Sequence, residues 1–108
     1  MILHLAGQVA VTFSVSNPRE DFEINAIGTF NILESLRLHS KDTILLFSST
    51  NKVYGEYETK LYESDLRYGY ENIPGVSEDM TLDFHSPYGC SKGSADQYVR
   101  DYNRIYGI

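Results

Sequence analysis

The chain is poor in the residues that staple, ligate or anchor. It has one cysteine, Cys90, in 108 residues, which excludes an internal disulfide and a thiolate metal cluster. Its three histidines, His4, His39 and His85, lack ligand spacing, so no metal site is read. Basic residues are scarce: 9 Lys and Arg stand against 15 Asp and Glu, a formal net charge of -6. That balance opposes a nucleic-acid partner, although an anionic nucleotide can still be held by backbone donors. No uninterrupted apolar run is long enough to span a membrane and no basic leader opens the chain, so a cytoplasmic location is expected. Neither internal repeats nor low-complexity segments occur. What remains is one small domain's worth of chain with enough apolar content for a core.

Met1-Ile-Leu-His-Leu-Ala6 is a short apolar run that stops at Gly7, the pattern of a buried strand. The small, polar Ala6-Gly7-Gln8 would let a ligand approach the backbone, or is an ordinary strand-to-loop glycine. Asn17-Pro18-Arg19-Glu20 reads as a helix start with Asn17 capping, Pro18 in the first turn and Glu20 as a capping-box acid. Phe22, Ala26, Phe30, Leu33 and Leu36 then keep helical spacing to about His39. Gly28 inside that helix suggests a close packing contact, and Asn25 faces either solvent or a neighbouring strand. Thr43 to Ser49 is a second apolar strand, so strand, helix and strand make a βαβ unit with parallel strands. It ends in Ser48-Ser49-Thr50-Asn51, hydroxyl and amide groups at the carboxyl end of a strand, where open α/β sheets bind ligands.

Residues 56 to 83 are rich in Tyr, Glu and Asp and show no strong period, although a short helix is conceivable there. Connections of this length in compact domains are commonly functional or mobile. Tyr54, Tyr57, Tyr62, Tyr68 and Tyr70 could cover a ligand or merely decorate a surface loop. A last helix runs from about Tyr88 to Tyr106, with Ala95, Val99, Tyr102 and Tyr106 inward and Arg100 and Arg104 outward. At its start Tyr88 and Lys92 stand one turn apart on one face. An ammonium beside a phenol favours the phenolate, a base able to take a proton from an alcohol. Alone, Tyr-x-x-x-Lys is a common accident of solvated helix faces. Cys90 has no histidine placed to activate it and reads as a packed helix cysteine. His4 reads as a satisfied core histidine, and His85 as a loop residue bonding its neighbours.

Taken in order, His4-Leu-Ala-Gly-Gln8, Asn25-Ala-Ile-Gly-Thr29, Ser48-Ser-Thr-Asn-Lys-Val-Tyr-Gly55 and Ser86-Pro-Tyr-Gly-Cys-Ser-Lys92 resemble the extended short-chain dehydrogenase/reductase family of NAD-dependent sugar-nucleotide epimerases and dehydratases. The likeness spans essentially the whole chain. It implies an α/β fold, a partial Rossmann-like doubly wound parallel sheet. It also implies NAD as cofactor and a CDP-linked or other nucleotide sugar as substrate. Residues 49–55 and 83–98 are similar to the members that epimerise a CDP-linked 3,6-dideoxyhexose at C2 through transient oxidation to a keto sugar. By the same resemblance Tyr88 is the catalytic base, Lys92 tunes it and bonds the nicotinamide ribose, and Thr50 bonds the reacting hydroxyl. Asn25 supports the site, Leu5, Ala6, Gly7 and Gln8 line NAD, and Asn51 touches substrate. The family also implies a homodimer built through the two long helices.

Three family features find no counterpart. The glycine-rich turn for the NAD pyrophosphate and the acidic residue for the adenosine ribose are absent, and no substrate domain follows Ile108. Residues 1–108 are therefore expected to be the central fragment of an NAD-binding epimerase domain, inactive alone. Rival readings are a dehydratase or 4-epimerase, a non-catalytic dimerising module, and a truncated frame that does not fold. Asn51-Lys52 after Thr50, where dehydratases tend to carry acids, favours the epimerase.

Overall fold

The computed structural model describes residues 1–56 and 59–108. The elements run β1 (Ile2–His4), α1 (Val11–Ser16), α2 (Pro18–Phe22), a π-helical turn (Glu23–Ile27), α3 (Gly28–His39), β2 (Leu45–Phe47), a 3-10 turn (Asn51–Tyr54), the hairpin β3 (Leu61–Glu63) and β4 (Tyr68–Tyr70), and α4 (Ser86–Tyr106). β1 and β2 pair in parallel with Ile2 opposite Leu45 and His4 opposite Phe47, as the βαβ pattern predicts. Both strands are shorter than their apolar runs. Period-two alternation divides their side chains: Ile2, His4, Leu45 and Phe47 are wholly or partly covered, while Leu3 and Leu46 on the other face are 57% and 52% exposed. Among the described residues, helices cover one face of this sheet.

From Pro18 to His39 the chain is one continuous helical run interrupted by the π turn. There the Gly28 amide donates to the carbonyl of Glu23, five residues back, which widens the turn and shifts the helix phase. The buried stripe therefore differs from the apolar pattern. Phe22 is 46% exposed, while Asp21, Asn25 and Thr29 are at most 2% exposed, and below them Leu33 and Leu36 form the core. Gly28 makes no tight contact: a Cβ there would meet only the Glu23 carbonyl, at 3.8 Å. Asn17 makes no side-chain cap, its φ of -133° and ψ of 60° being set by the end of α1, whose Phe13 carbonyl its amide bonds. Nothing in the sequence pattern had marked α1.

The acidic connection holds a hairpin rather than a helix. β3 and β4 are antiparallel, Leu61 opposite Tyr70 and Glu63 opposite Tyr68. The turn is made by Ser64, whose amide and hydroxyl both bond the Arg67 carbonyl at 3.0 and 2.8 Å. Tyr62 lies across its partner Gly69, and Tyr68 reaches Glu63 at 3.3 Å, so these two tyrosines serve the hairpin. Tyr57 lies outside the described residues. α4 packs along α1, α2, the π turn and α3. Ala95 and Tyr102 are buried there, whereas Tyr106 is 43% exposed. Tyr102 donates to Glu34 at 2.6 Å, and Arg37 grips the same carboxylate at 2.7 and 2.8 Å. Those hydrogen bonds hold the Glu34 carboxyl at about 2, and burial followed by the Glu34 bond pushes Tyr102 up to about 12. Arg100 and Arg104 are exposed. No helix is long and apolar enough to cross a membrane among the described residues.

Candidate active site

The carboxyl ends of β1 and β2 open onto the first turns of α4. Ser86 begins that helix at φ 66°, the one non-glycine at positive φ among the described residues, and its hydroxyl accepts the Gly89 amide at 3.2 Å. Pro87 follows in the first turn, where a missing N–H costs nothing. The Tyr88 amide, another unpaired donor of the helix start, is taken by the Ser14 hydroxyl of α1 at 3.1 Å. Ser14 is wholly buried. Two serines from different elements thus fix where the helix carrying Tyr88 and Lys92 begins.

Lys92 is 7% exposed. Its ammonium donates to the Ser48 carbonyl, just past β2, at 2.5 Å and lies 4.2 Å from the centre of the Phe47 ring. Burial lowers its pKa, and the charge of Asp96 opposes that shift. An ammonium has three donors, so the Ser48 bond leaves capacity for a ligand. His4 packs at a tilt of 44° against the same Phe47, ring centres 5.6 Å apart, and meets Thr29 at 3.0 Å. Thr29 gives its own hydrogen to the Asn25 carbonyl at 2.7 Å, so His4 Nε2 carries the proton in that contact. Burial lowers the His4 pKa, with the charge of Lys92 adding to it. The core-histidine reading holds.

Thr50 leads into the 3-10 turn, its hydroxyl accepting from the Lys52 amide at 3.3 Å. That turn rests on α4. The Lys52 carbonyl accepts the His85 amide at 3.3 Å, and a Cβ on Gly89 would lie 2.9 Å from that oxygen. Glycine beside Tyr88 is what lets the Thr50 turn come this close. Thr50 and Asn51 also line a cleft of about 640 Å³ with Tyr54, Phe84, Asp96 and Arg100. Tyr88 and Lys92 are not among its walls; the Lys92 ammonium points to the sheet instead.

On the β1 side Leu5, Ala6 and Gly7 are exposed. Gln8 is clamped at two points by Asn25, which accepts its amide at 2.9 Å and donates to its carbonyl at 3.1 Å. A Cβ on Gly7 would stand 2.9 Å from the Asn25 oxygen, so this glycine makes room for the asparagine. Asn25 bonds the loop after β1, close to the neighbouring-strand alternative. The structure thus gathers Ser48–Lys52 and Tyr88–Lys92 at one edge of the sheet, with Gln8 and Asn25 beside them. Leu5 and Ala6 lie exposed at that edge and are not hydrogen-bonded to Tyr88 or Lys92. Cys90 is exposed and weakly bonded to the Phe84 carbonyl at 3.6 Å; it is not the packed cysteine expected, because its position on α4 is left uncovered. His85 approaches Glu56 at 3.7 Å. No group of acidic, His and Cys side chains could hold a metal among the described residues.

Sequence reasoning missed Ser14, Asp21 and Ser91. Asp21 accepts from Ser91 at 2.5 Å, from the Gln8 side chain at 2.6 Å and from Asn25 at 3.2 Å. For Asp21 alone there was a faint signal: Asp21, Asn25 and Thr29 recur every four residues, a polar helical stripe.

The family model described as GDP-mannose 4,6 dehydratase matches residues 1–108. The chain is 55% identical over 107 residues to the CDP-paratose 2-epimerase of Salmonella typhi, covering 97% of this chain and 32% of that protein. It is 33% identical over 107 residues to a dTDP-glucose 4,6-dehydratase of Mycobacterium tuberculosis, covering 99% and 28%. Among solved structures, the UDP-glucose 4-epimerase of Thermus thermophilus in complex with NAD superposes with a TM-score of 0.79 at 32% identity, over 98% of this chain and 30% of that one. The chain thus spans about a third of the length of the curated relatives it matches.

Proposed function

Because the chain belongs to the GDP-mannose 4,6-dehydratase family, among the extended short-chain NAD-dependent epimerases and dehydratases, we propose that it forms part of an NAD-dependent nucleotide-sugar epimerase acting on CDP-paratose at C2. The observation that carries this reading is the 55% identity to a CDP-paratose 2-epimerase over nearly the whole chain, joined to Asn51-Lys52 after Thr50 where a dehydratase would need acids. The residues present suit the nicotinamide end of the cofactor: a buried ammonium with spare donors, a tyrosine one turn before it, and an exposed strand end with small side chains. Lys92, Tyr88 and the Leu5–Gln8 edge would hold that end. When bound, NAD supplies the oxidant for the sugar carbon and the reductant that restores it.

Tyr88 takes the proton of the sugar hydroxyl and later returns it. Lys92 keeps positive charge beside the phenolate as that charge develops. Thr50 hydrogen-bonds the same sugar oxygen and holds it in line with Tyr88, and Asn51 orients the sugar from the turn. Asn25 fixes the Gln8 backbone and so the strand end that would hold the nicotinamide. The helices α3 and α4 expose Leu38, Tyr98, Ile105 and Tyr106, and a second copy packing helix against helix would cover them. A homodimer and a cytoplasmic location belong to this reading.

The test is the full-length protein with NAD and CDP-paratose. Conversion to CDP-tyvelose with no net change in NAD redox state is expected. A 4-keto-6-deoxy sugar as product would replace the epimerase with a dehydratase.

A further inference from the structure

We propose that Asp21 is a positioning residue for the Tyr88–Lys92 segment: its buried carboxylate ties the loop that follows β1 to the start of α4 and sets the register between them. This rests on the reading of Tyr88 and Lys92 above. Asp21 is 0% exposed, and no ion pair neutralises it among the described residues. A buried carboxylate of that kind persists only where hydrogen-bond donors replace its lost water. The donors come from three directions. The Gln8 side chain reaches Asp21 Oδ1 at 2.6 Å from the β1 loop, Asn25 reaches the same oxygen at 3.2 Å from one helical turn on, and Ser91 reaches Oδ2 at 2.5 Å from α4.

The placement of Ser91 makes this more than local packing. It stands three residues after Tyr88 and next to Lys92, flanking the face that presents both. Its single hydroxyl hydrogen has two acceptors in reach, Asp21 at 2.5 Å and the Tyr88 carbonyl at 3.1 Å. The shorter bond, to a charged acceptor, takes it. The Ser91 oxygen is then free to accept from Asn25 at 3.2 Å, closing a ring of Asp21, Ser91 and Asn25. Rotating or sliding α4 breaks the Asp21–Ser91 bond and leaves a buried charge short of a donor. The carboxylate thereby resists the motions that would carry Tyr88 away from the strand edge held by Gln8.

The experiment compares the full-length wild type with Asp21→Asn, which keeps the shape and replaces one acceptor oxygen with a donor. An exposed control, Arg19→Gln, accompanies it. Amide hydrogen exchange without ligand is read alongside steady-state turnover. Asp21→Asn is expected to speed exchange roughly tenfold at residues 5–10 and 86–93 and to leave the hairpin at 61–70 unchanged. Its kcat should fall roughly ten- to a hundredfold with KM for the nucleotide sugar nearly constant, the mark of lost positioning rather than lost binding. If Asp21→Asn does not fold, Ser91→Ala removes the same bond from the α4 side, and the same two outcomes are expected of it. Exchange altered only around residue 21, exchange raised uniformly, or an unchanged kcat would overturn the proposal. A wild type that exchanges as described but turns over no nucleotide sugar would sink the epimerase reading, while the exchange data alone would still decide the clamp.

Discussion

Replacing Asn25 tests how the site is held, because two substitutions that look alike on paper should separate with pH. Asn25 is 2% exposed and its side chain has four hydrogen-bond contacts: its oxygen accepts the Gln8 amide, and its two amide hydrogens are shared among the Gln8 carbonyl, Asp21 and Ser91, three bonds in effect. Asn25→Ala removes them all. Asp21 keeps its Gln8 and Ser91 donors, and Gln8 is only half-buried, so water can reach part of what is lost. At about 1 kcal/mol for each ordinary hydrogen bond, the cost is about 3 kcal/mol. Asn25→Asp keeps the shape and the Gln8 amide bond but sets carboxylate against carboxylate at the 3.2 Å now spanned by the Asn25–Asp21 hydrogen bond. Two charges at that distance repel by about 5 kcal/mol at an effective dielectric of 20, on top of the lost donors, a large share of a domain's stability. The folded variant escapes by binding one proton between the two carboxyls. It then holds more protons than the unfolded chain, so its stability falls as pH rises. Urea unfolding of the full-length protein at pH 5 and pH 8 measures this. Asn25→Asp should be the weaker variant at pH 8 and should match or exceed Asn25→Ala at pH 5. If Asn25→Asp is as stable as wild type at pH 8, or the two variants keep one order at both pH values, the electrostatic account of this cluster is wrong.

Gly89→Ala places a methyl 2.9 Å from the Lys52 carbonyl; a loss of about 1–3 kcal/mol is expected by urea unfolding, with Gly75→Ala, which meets nothing within 4 Å, as the near-neutral control. His4 is buried with its pKa lowered below 6.5, so the unfolded state binds more protons as pH drops below 6.5. The stability that depends on neutral His4 is complete above that value and is lost as pH falls toward the folded pKa, and His4→Gln should remove this part of the pH dependence of the melting temperature. Tyr88→Phe is expected to cost about 10²–10⁴-fold in kcat while the melting temperature stays within a degree or two; a variant with near-wild-type turnover would exclude Tyr88 as the base.

How much of this was legible beforehand depended on which force set each element. The parallel pair and the long helices were, because burial of Leu33, Leu36, Ala95 and Tyr102 follows helical spacing in any context. The hairpin was not. β3 is exposed along its whole length, so no inside–outside alternation exists to be read, and the pairing rests on the Ser64 turn and on Tyr62 over Gly69. The buried face of the helix before α3 was misread for the opposite reason. Hydrophobicity pointed to Phe22, yet a polar stripe of Asp21, Asn25 and Thr29 went inside. Its partners, Gln8, Ser91 and His4, lie 13 to 70 residues away. A buried polar residue becomes stable only once those distant donors and acceptors arrive, so its burial is a property of the assembled fold, and a four-residue polar period alone does not tell a buried stripe from a solvated one. The π turn works in the same direction, since one widened turn moves every later residue around the helix relative to an ideal wheel. The motif residues Thr50, Asn51, Tyr88 and Lys92 were found by likeness. Asn25 and Gln8 came by likeness too, but Ser14, Asp21 and Ser91, which tie them to α4, were found only by geometry, and they are the ones whose substitution should separate position from chemistry.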